Sequence, residues 1–283
     1  QEMDGDLWIK TPAGYCIYHP QTESFERDMR LVFSRIGLKE VPSIIYIDRH
    51  KNLWGYIPGR GTICYNTQQQ LHFEFGYTND ANGIPQGNIC SIGECKDGTV
   101  LVYDDGRMAC CEVIPQQHVV WKSTEIAQQH LRNTKTLRVF ADQMDNLWLY
   151  GQGTLFLYNK KTHEWNTHIG DELGLSSVTV DHAVNSIGGD RSGNVWVGTN
   201  RHGLVRINVN THAMEFVTIK SMSPYRTPRS NVGVRSIYVD DTDLLWVGTA
   251  KSGVAYTGQN IYKFEASALG DITALAQDNT GKV

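Results

Sequence analysis

An all-β fold of stacked four-stranded sheets is what the sequence predicts, on three observations. Asn185 to Asn210 reads as a self-contained unit of strands and turns, and this unit recurs along the whole chain at intervals in the upper forties of residues. The recurrences align on one large apolar residue, Trp8, Trp54, Leu101, Trp148, Trp196 and Trp246. A period of that length with four strands in each copy is a β-propeller blade of antiparallel strands, and six copies are visible.

The central unit shows why each copy takes this form. Ser186-Ile187 and Val195-Trp196-Val197 are short runs rich in β-branched and aromatic residues, the composition of strands covered on both faces. Between them, Asp190 to Asn194 supplies an Asp that can bond backbone amides and a Gly that can take positive φ, so the chain reverses there. A second reversal follows Gly198-Thr199 at Asn200 to Gly203, and Asn208 to Thr211 turns the third strand toward a fourth at Ala213 to Thr218. Such a meander is too apolar to stand alone and must stack on copies of itself.

Copy one runs Leu7 to Thr11, Gly14 to His19 and Ser24 to Arg27, with Arg30 to Lys39 as a longer connection. Copy two opens on Ser43 to Asp48 and continues through Trp54, Gly61 to Asn66 and Leu71 to Phe75. Copy three takes Ile89 to Gly93, Val100 to Tyr103, Arg107 to Ile114 and Val119 to Lys122, and is followed by the one helix expected, Ser123 to Leu131. Lacking both the Trp and the Gly-Thr, copy three is expected to form a distorted blade. Copy four runs Leu137 to Ala141, through Trp148, then Thr154 to Tyr158 and Glu164 to Thr167. Copy six runs Val234 to Asp240, through Trp246, then Gly253 to Thr257 and Ile261 to Phe264.

The last segment, Asp271 to Asp278, is another inner strand. Paired with Leu7 to Lys10 it closes six blades and leaves no open sheet edge; the other reading is an incomplete seven. Gln1 falls in the middle of a repeat, so residues 1–283 are expected to be a single propeller domain cut from a longer multidomain chain.

An aromatic of the size of Trp buries on the order of 150–250 Å², about 4–6 kcal/mol at roughly 25 cal/mol/Å². The repeat Trp residues and Leu101 are therefore read as packing between neighbouring blades. Trp121 and Trp165 stand outside that register.

The chain of 283 residues is 40% apolar with a net charge of only -4, which gives no reason to expect nucleic acid. No window approaches the roughly 18 consecutive apolar residues of a membrane span, and the start does not read as a signal peptide. The six cysteines do not form C-x-x-C metal pairs and are read as small buried or half-buried residues, with Cys90 and Cys95 the one pair placed for a bridge.

Gly174 to Ser177, Val184 to Ile187, Gly193-Asn194-Val195-Trp196-Val197-Gly198-Thr199 and Gly203-Leu204 together resemble the regulator-propeller repeats of the periplasmic sensor region of Bacteroides-type hybrid two-component systems. Leu245-Trp246-Val247-Gly248-Thr249 repeats the pattern. The resemblance implies an extracytoplasmic, non-catalytic sensing module that responds to oligosaccharides. It also implies a parent histidine kinase held in the inner membrane by a segment outside this chain, and a homodimer formed through that parent.

No local motif assembles a catalytic centre: H-E-x-x-H, a phosphate-cradling Gly-rich loop and G-x-S-x-G are all missing. The Asp-rich turns at Asp4 to Asp6, Asp190 to Asn194 and Asp240 to Asp243 lack the six to eight oxygens that calcium takes. No catalytic residue, metal or cofactor is expected. By the geometry of propellers generally, loops joining second to third strands share one face with those joining an outer strand to the next inner strand. These loops carry Arg60, Arg201, His202, Tyr225, Arg226, Arg229 and Lys251, a cationic and aromatic set suited to an acidic or hydroxyl-rich ligand. Two other classes stay open: a propeller lyase or hydrolase with an axial site, since some lyase propellers also repeat Gly-Asn-Leu-Trp, and a protein-interaction scaffold.

Overall fold

The computed structural model describes residues 2–66, 71–75, 86–105, 107–114, 118–124, 137–151, 153–173, 183–217, 219, 232–240, 242–250, 253–257 and 261–264. The blades begin from the turn aspartates. The Oδ1 of Asp48 accepts from the amides of His50 at 2.9 Å and Asn52 at 2.8 Å, while its Oδ2 accepts from Asn52 Nδ2 and Trp54 Nε1, both at 2.9 Å. One carboxylate thus closes the turn and fixes the tryptophan six residues later. Asp142, Asp190 and Asp240 do the same for Trp148, Trp196 and Trp246. The residue three before each repeat position has positive φ in all six copies: Gly5, Lys51, Gly98, Asp145, Gly193 and Asp243.

From these turns the described residues build six four-stranded antiparallel sheets, each ordered along the chain from inner to outer strand. Blade one is Glu2–Met3, Asp6–Thr11, Gly14–His19 and Ser24–Glu26; blade two is Ile44–Ile47, Asn52–Ile57, Gly61–Asn66 and Leu71–Phe75. Blade three is Ile89–Cys95, Gly98–Tyr103, Met108–Ile114 and His118–Thr124; blade four is Arg138–Ala141, Leu147–Gly151, Thr154–Asn159 and Glu164–Asn166. Blade five is Val184–Gly189, Asn194–Thr199, Leu204–Asn208 and Met214–Val217; blade six is Val234–Val239, Leu245–Thr249, Val254–Thr257 and Ile261–Phe264. This is the β-propeller blade the repeat predicts. The blades fall into two compact units, one within Gln1–Asn133 and one within Thr134–Leu275.

The core lies between consecutive blades. In the first unit Trp8 packs with Phe33, Leu53 and Ile63, and Trp54 with Ile92, Leu101 and Tyr103. In the second, Trp148 and Leu155 pack with Val195 and Val205, and half-buried Trp196 packs against Val234 and Val247. Glycine at position 198 lets that last pair meet, because a Cβ there would lie 2.5 Å from Val234 Cγ1.

Three expectations are corrected. Blade three is not distorted: Leu101 is fully buried, pairs with Ile92 and Ala109, and needs less space than a tryptophan. The register irregularity at Val102/Tyr103 has counterparts in blades five and six, at Val184/Ser186 and Val234/Ser236. The helix expected at Ser123 to Leu131 is strand at Ser123 and Thr124, and its remaining residues lie outside the described ones. Helices occur instead after the outer strands of blades one and four, α1 at Met29–Arg35 and α2 at Ile169–Glu172. In α1 the Asp28 side chain accepts from Leu31 N at 3.2 Å, and Met29, Val32 and Phe33 form one buried stripe. Cys90 and Cys95 are both reduced rather than bridged. Leu7 pairs with Glu2 on its inner side, and Asp271 to Asp278, the strand expected to close the ring, lies outside the described residues. Among the described residues no helix is long and apolar enough to cross a membrane.

Candidate functional site

In blades one, five and six the hairpin between second and third strands is closed by a threonine. Thr199 Oγ1 donates to Gly203 O at 3.1 Å and Thr249 Oγ1 to Gly253 O at 2.6 Å, which gives the recurring Gly-Thr its purpose. In blade one Thr11 Oγ1 does the same to Gly14 O at 2.9 Å. This hairpin, the Arg27 to Arg30 connection and the Val41 to Ser43 entry to blade two enclose a cleft of about 480 Å³.

Lys10, Arg27 and Arg30 line this cleft, together with the hydroxyls of Thr11 and Ser43. Lys10 Nζ sits 5.7 Å from the centroid of Tyr15, and the Arg27 guanidinium 5.7 Å from that of Phe25. None of the three cations makes an ion pair among the described residues. Asp28, the single carboxylate of the lining, is turned to the cap of α1. Burial pushes the Tyr15 phenol pKa up, partly offset by the Ile45 N–H that its oxygen accepts at 3.0 Å. Three cations, an aromatic edge and hydroxyls form a site of positive potential that can hold an anionic, hydroxylated molecule.

Of the residues singled out from sequence, Arg60 lies on the second-to-third hairpin of blade two, exposed and 3.2 Å from Glu40. Arg201 and His202 share the hairpin of blade five, where the His202 ring meets Phe216 at 5.9 Å and its amide donates to Thr199 Oγ1 at 2.9 Å. Tyr225, Arg226, Arg229 and Lys251 lie outside the described residues.

Beside the Arg201 hairpin is a chain of contacts that sequence reasoning missed. Arg138 Nη1 donates to Asn185 O at 2.8 Å, Asn185 Nδ2 to Asn200 Oδ1 at 2.8 Å, and Arg235 Nη1 to the same Asn200 oxygen at 2.8 Å. Arg138 and Arg235 stand on inner strands, where a pattern of apolar alternation gives no weight to an occasional cation. Lys10, Arg27 and Arg30 were missed for another reason: they come from three separate segments, and no local motif joins them. Among the described residues no cluster of three or more His, Cys, Asp and Glu is placed to hold a metal.

No protein-family model matches the chain, and no curated protein does. Solved structures do match. PorZ, a surface component of the type-IX secretion system of Porphyromonas gingivalis, superposes with a TM-score of 0.62 at 14% identity, over 98% of this chain and 43% of its own. A catalytically inactive virginiamycin B lyase of Staphylococcus aureus superposes with a TM-score of 0.58 at 10% identity, over 98% of this chain and 87% of its own. These likenesses are to propellers, and they establish the fold alone. An extracellular domain from B. thetaiotaomicron, assigned to a hybrid two component system, aligns over 98% of this chain and 47% of its own at 14% identity, with a TM-score of 0.42. That superposition is too loose to bear on function. The chain spans less than half the length of PorZ.

Proposed function

We propose that this propeller is a non-catalytic, extracytoplasmic recognition module of a hybrid two-component signalling protein, and that it senses oligosaccharides bearing acidic groups. The observation that carries this reading is the cleft of blade one, where Lys10, Arg27 and Arg30 converge without an ion pair among the described residues. The repeat motif around Trp196 and Trp246 supports placing the module outside the inner membrane, in the periplasm, with a kinase as its effector. The cleft lies on second-to-third and outer-to-inner connections, the loops that differ between copies while the turn aspartates and tryptophans recur. Such variation suits specificity, and the rigid blades beneath keep the three cations in place.

Calorimetric titration of the chain with tetragalacturonate, and with uncharged tetrasaccharides as controls, tests the proposal. The acidic probe is expected to bind, to weaken as salt rises, and to lose binding when Arg27→Ala and Arg30→Ala are combined. Silence of the folded chain toward acidic saccharides, or binding unmoved by that double substitution, overturns the reading.

A further inference from the structure

Trp165, like Trp121, stands outside the register of the blade repeat. It lies on the outer strand of blade four with its ring half-buried, tilted at 31° against Tyr158 with centroids 4.8 Å apart. It lines a groove of about 550 Å³ formed by blade four and the Val209 to His212 turn of blade five.

The lining of this groove is largely polar. One asparagine of the lining is spent on the fold: Asn146 Nδ2 donates to Asp142, as Asn194 Nδ2 does to Asp190 in blade five. Around the groove, Asn159 and Asn166 use only Oδ1, which accepts the amides of Lys161, Thr162 and His168. Their Nδ2 groups, the Asn210 side-chain amide, the Trp165 indole N–H and the Glu164 carboxylate have no hydrogen-bond or ion-pair partner among the described residues. No lysine or arginine lines the groove, and Glu164 gives it a negative edge.

We infer that this groove is a second binding site, one for a neutral hexopyranosyl or pentopyranosyl unit. The C–H face of a sugar ring covers the indole, and donors and acceptors on both sides match vicinal hydroxyls. With no lysine or arginine in the lining and Glu164 at its edge, the groove disfavours an acidic saccharide, and its one basic side chain is His212, which sets this site apart from the cleft of blade one. The inference rests on the proposed sensing of saccharides only for the class of ligand, because none of its residues belongs to that cleft.

The test is calorimetric titration of the full chain with maltotetraose, cellotetraose, mannotetraose and xylotetraose, with tetragalacturonate as counter-probe. At least one neutral probe is expected to bind saturably. Trp165→Ala weakens it by at least about tenfold and Asn210→Ala several-fold, on the scale of one lost stacking or hydrogen-bonding contact. The Arg27→Ala, Arg30→Ala double variant leaves it unchanged. If Trp165→Ala fails to fold, Asn210→Ala and Glu164→Gln, both at exposed positions, carry the test. No binding of any neutral probe to the folded chain, or binding unmoved by these variants, overturns the inference. Tetragalacturonate binding lost in the arginine variant but kept in Trp165→Ala belongs to the other cleft, so the two proposals fail separately.

Discussion

Trp148 Nε1 donates at 2.9 Å to Oδ2 of Asp142, while Oδ1 of the same carboxylate accepts the amides of Met144 and Asn146, each at 2.9 Å. A turn and an inter-blade anchor are therefore one structure, held by a buried charge. Asp142→Ala strands the buried indole N–H and the Asn146 side chain together. A loss of about 2–4 kcal/mol is expected in urea unfolding, the scale of unsatisfied buried donors. Asp142→Asn keeps part of the network and costs less.

Asp240 makes the same arrangement sensitive to pH. Burial pushes its carboxyl pKa up, but hydrogen bonds from the Thr242 hydroxyl, the Trp246 indole and the amides of Leu244 and Thr242 outweigh burial and hold it below the ordinary carboxylate value. The folded pKa lies below the unfolded one, so the stabilisation is complete above the unfolded pKa of about 4 and is lost as pH falls through the depressed folded value. Unfolding of the native chain and of Asp240→Asn is expected to differ most at neutral pH and to converge in acid. A gap between them that stays constant down to about pH 2 would contradict this.

Much of the fold was legible because the repeat writes its packing and turn chemistry into residue types: Asp, Gly-Thr and Trp recur where hydrogen bonds and inter-blade contacts demand them. The left-handed position three before each anchor was legible where it is glycine, at Gly5, Gly98 and Gly193, and not where Lys51, Asp145 and Asp243 adopt the same backbone conformation. Helix α1 was hidden in a short connection whose apolar stripe, Met29, Val32 and Phe33, spans little more than one turn. The cleft was least visible, because Lys10, Arg27 and Arg30 become neighbours only through a hairpin and a crossover. Loop position alone pointed to Arg60, which lies exposed beside Glu40.

Gly198 and Gly170 give opposite outcomes with the same added methyl. A Cβ at 198 would meet Val234 Cγ1 at 2.5 Å and Ile237 Cδ1 at 3.1 Å, whereas at 170, in α2, the nearest atoms lie at 3.5 Å. Gly198→Ala is expected to cost about 1–3 kcal/mol through overpacking between blades five and six. Gly170→Ala should be neutral or slightly stabilising, since it restricts the unfolded chain. Thermal unfolding of the two variants side by side checks the contrast.

Cys64 lies in the blade two core, and its thiol is pushed up to about 12, first by burial and then by the nearby Asp48 carboxylate. At neutral pH it holds no appreciable thiolate, the form that reacts. A disulfide reagent is expected to label half-buried Cys90 and Cys110 first and to reach Cys64 only as the unit unfolds. Peptide mapping after timed labelling reads this directly, and early modification of Cys64 in folded protein would refute it.

Blade three lacks the Asp and Trp anchor and carries Cys95 and Leu101 in those places, so the turn of blade two reaches across to it. Arg49 Nη2 donates to Cys95 O at 2.9 Å, its Nε pairs with Glu94, and its backbone amide donates to Glu94 Oε2 at 3.0 Å. Tyr46 adds its hydroxyl to the same carboxylate at 3.5 Å, and burial followed by the Glu94 charge keeps that phenol protonated. Exposed ion pairs contribute about 0–1 kcal/mol. The Glu94 side chain is only 14% exposed, and Glu94→Ala removes acceptors from three donors at once, so it should cost about 1–3 kcal/mol. Arg49→Ala, at a side chain 52% exposed, should cost less, because the Tyr46 contact survives. A double-mutant cycle on Arg49 and Glu94 in urea unfolding separates the shared part, and additivity of the two losses would show that the blades are not tied at this point.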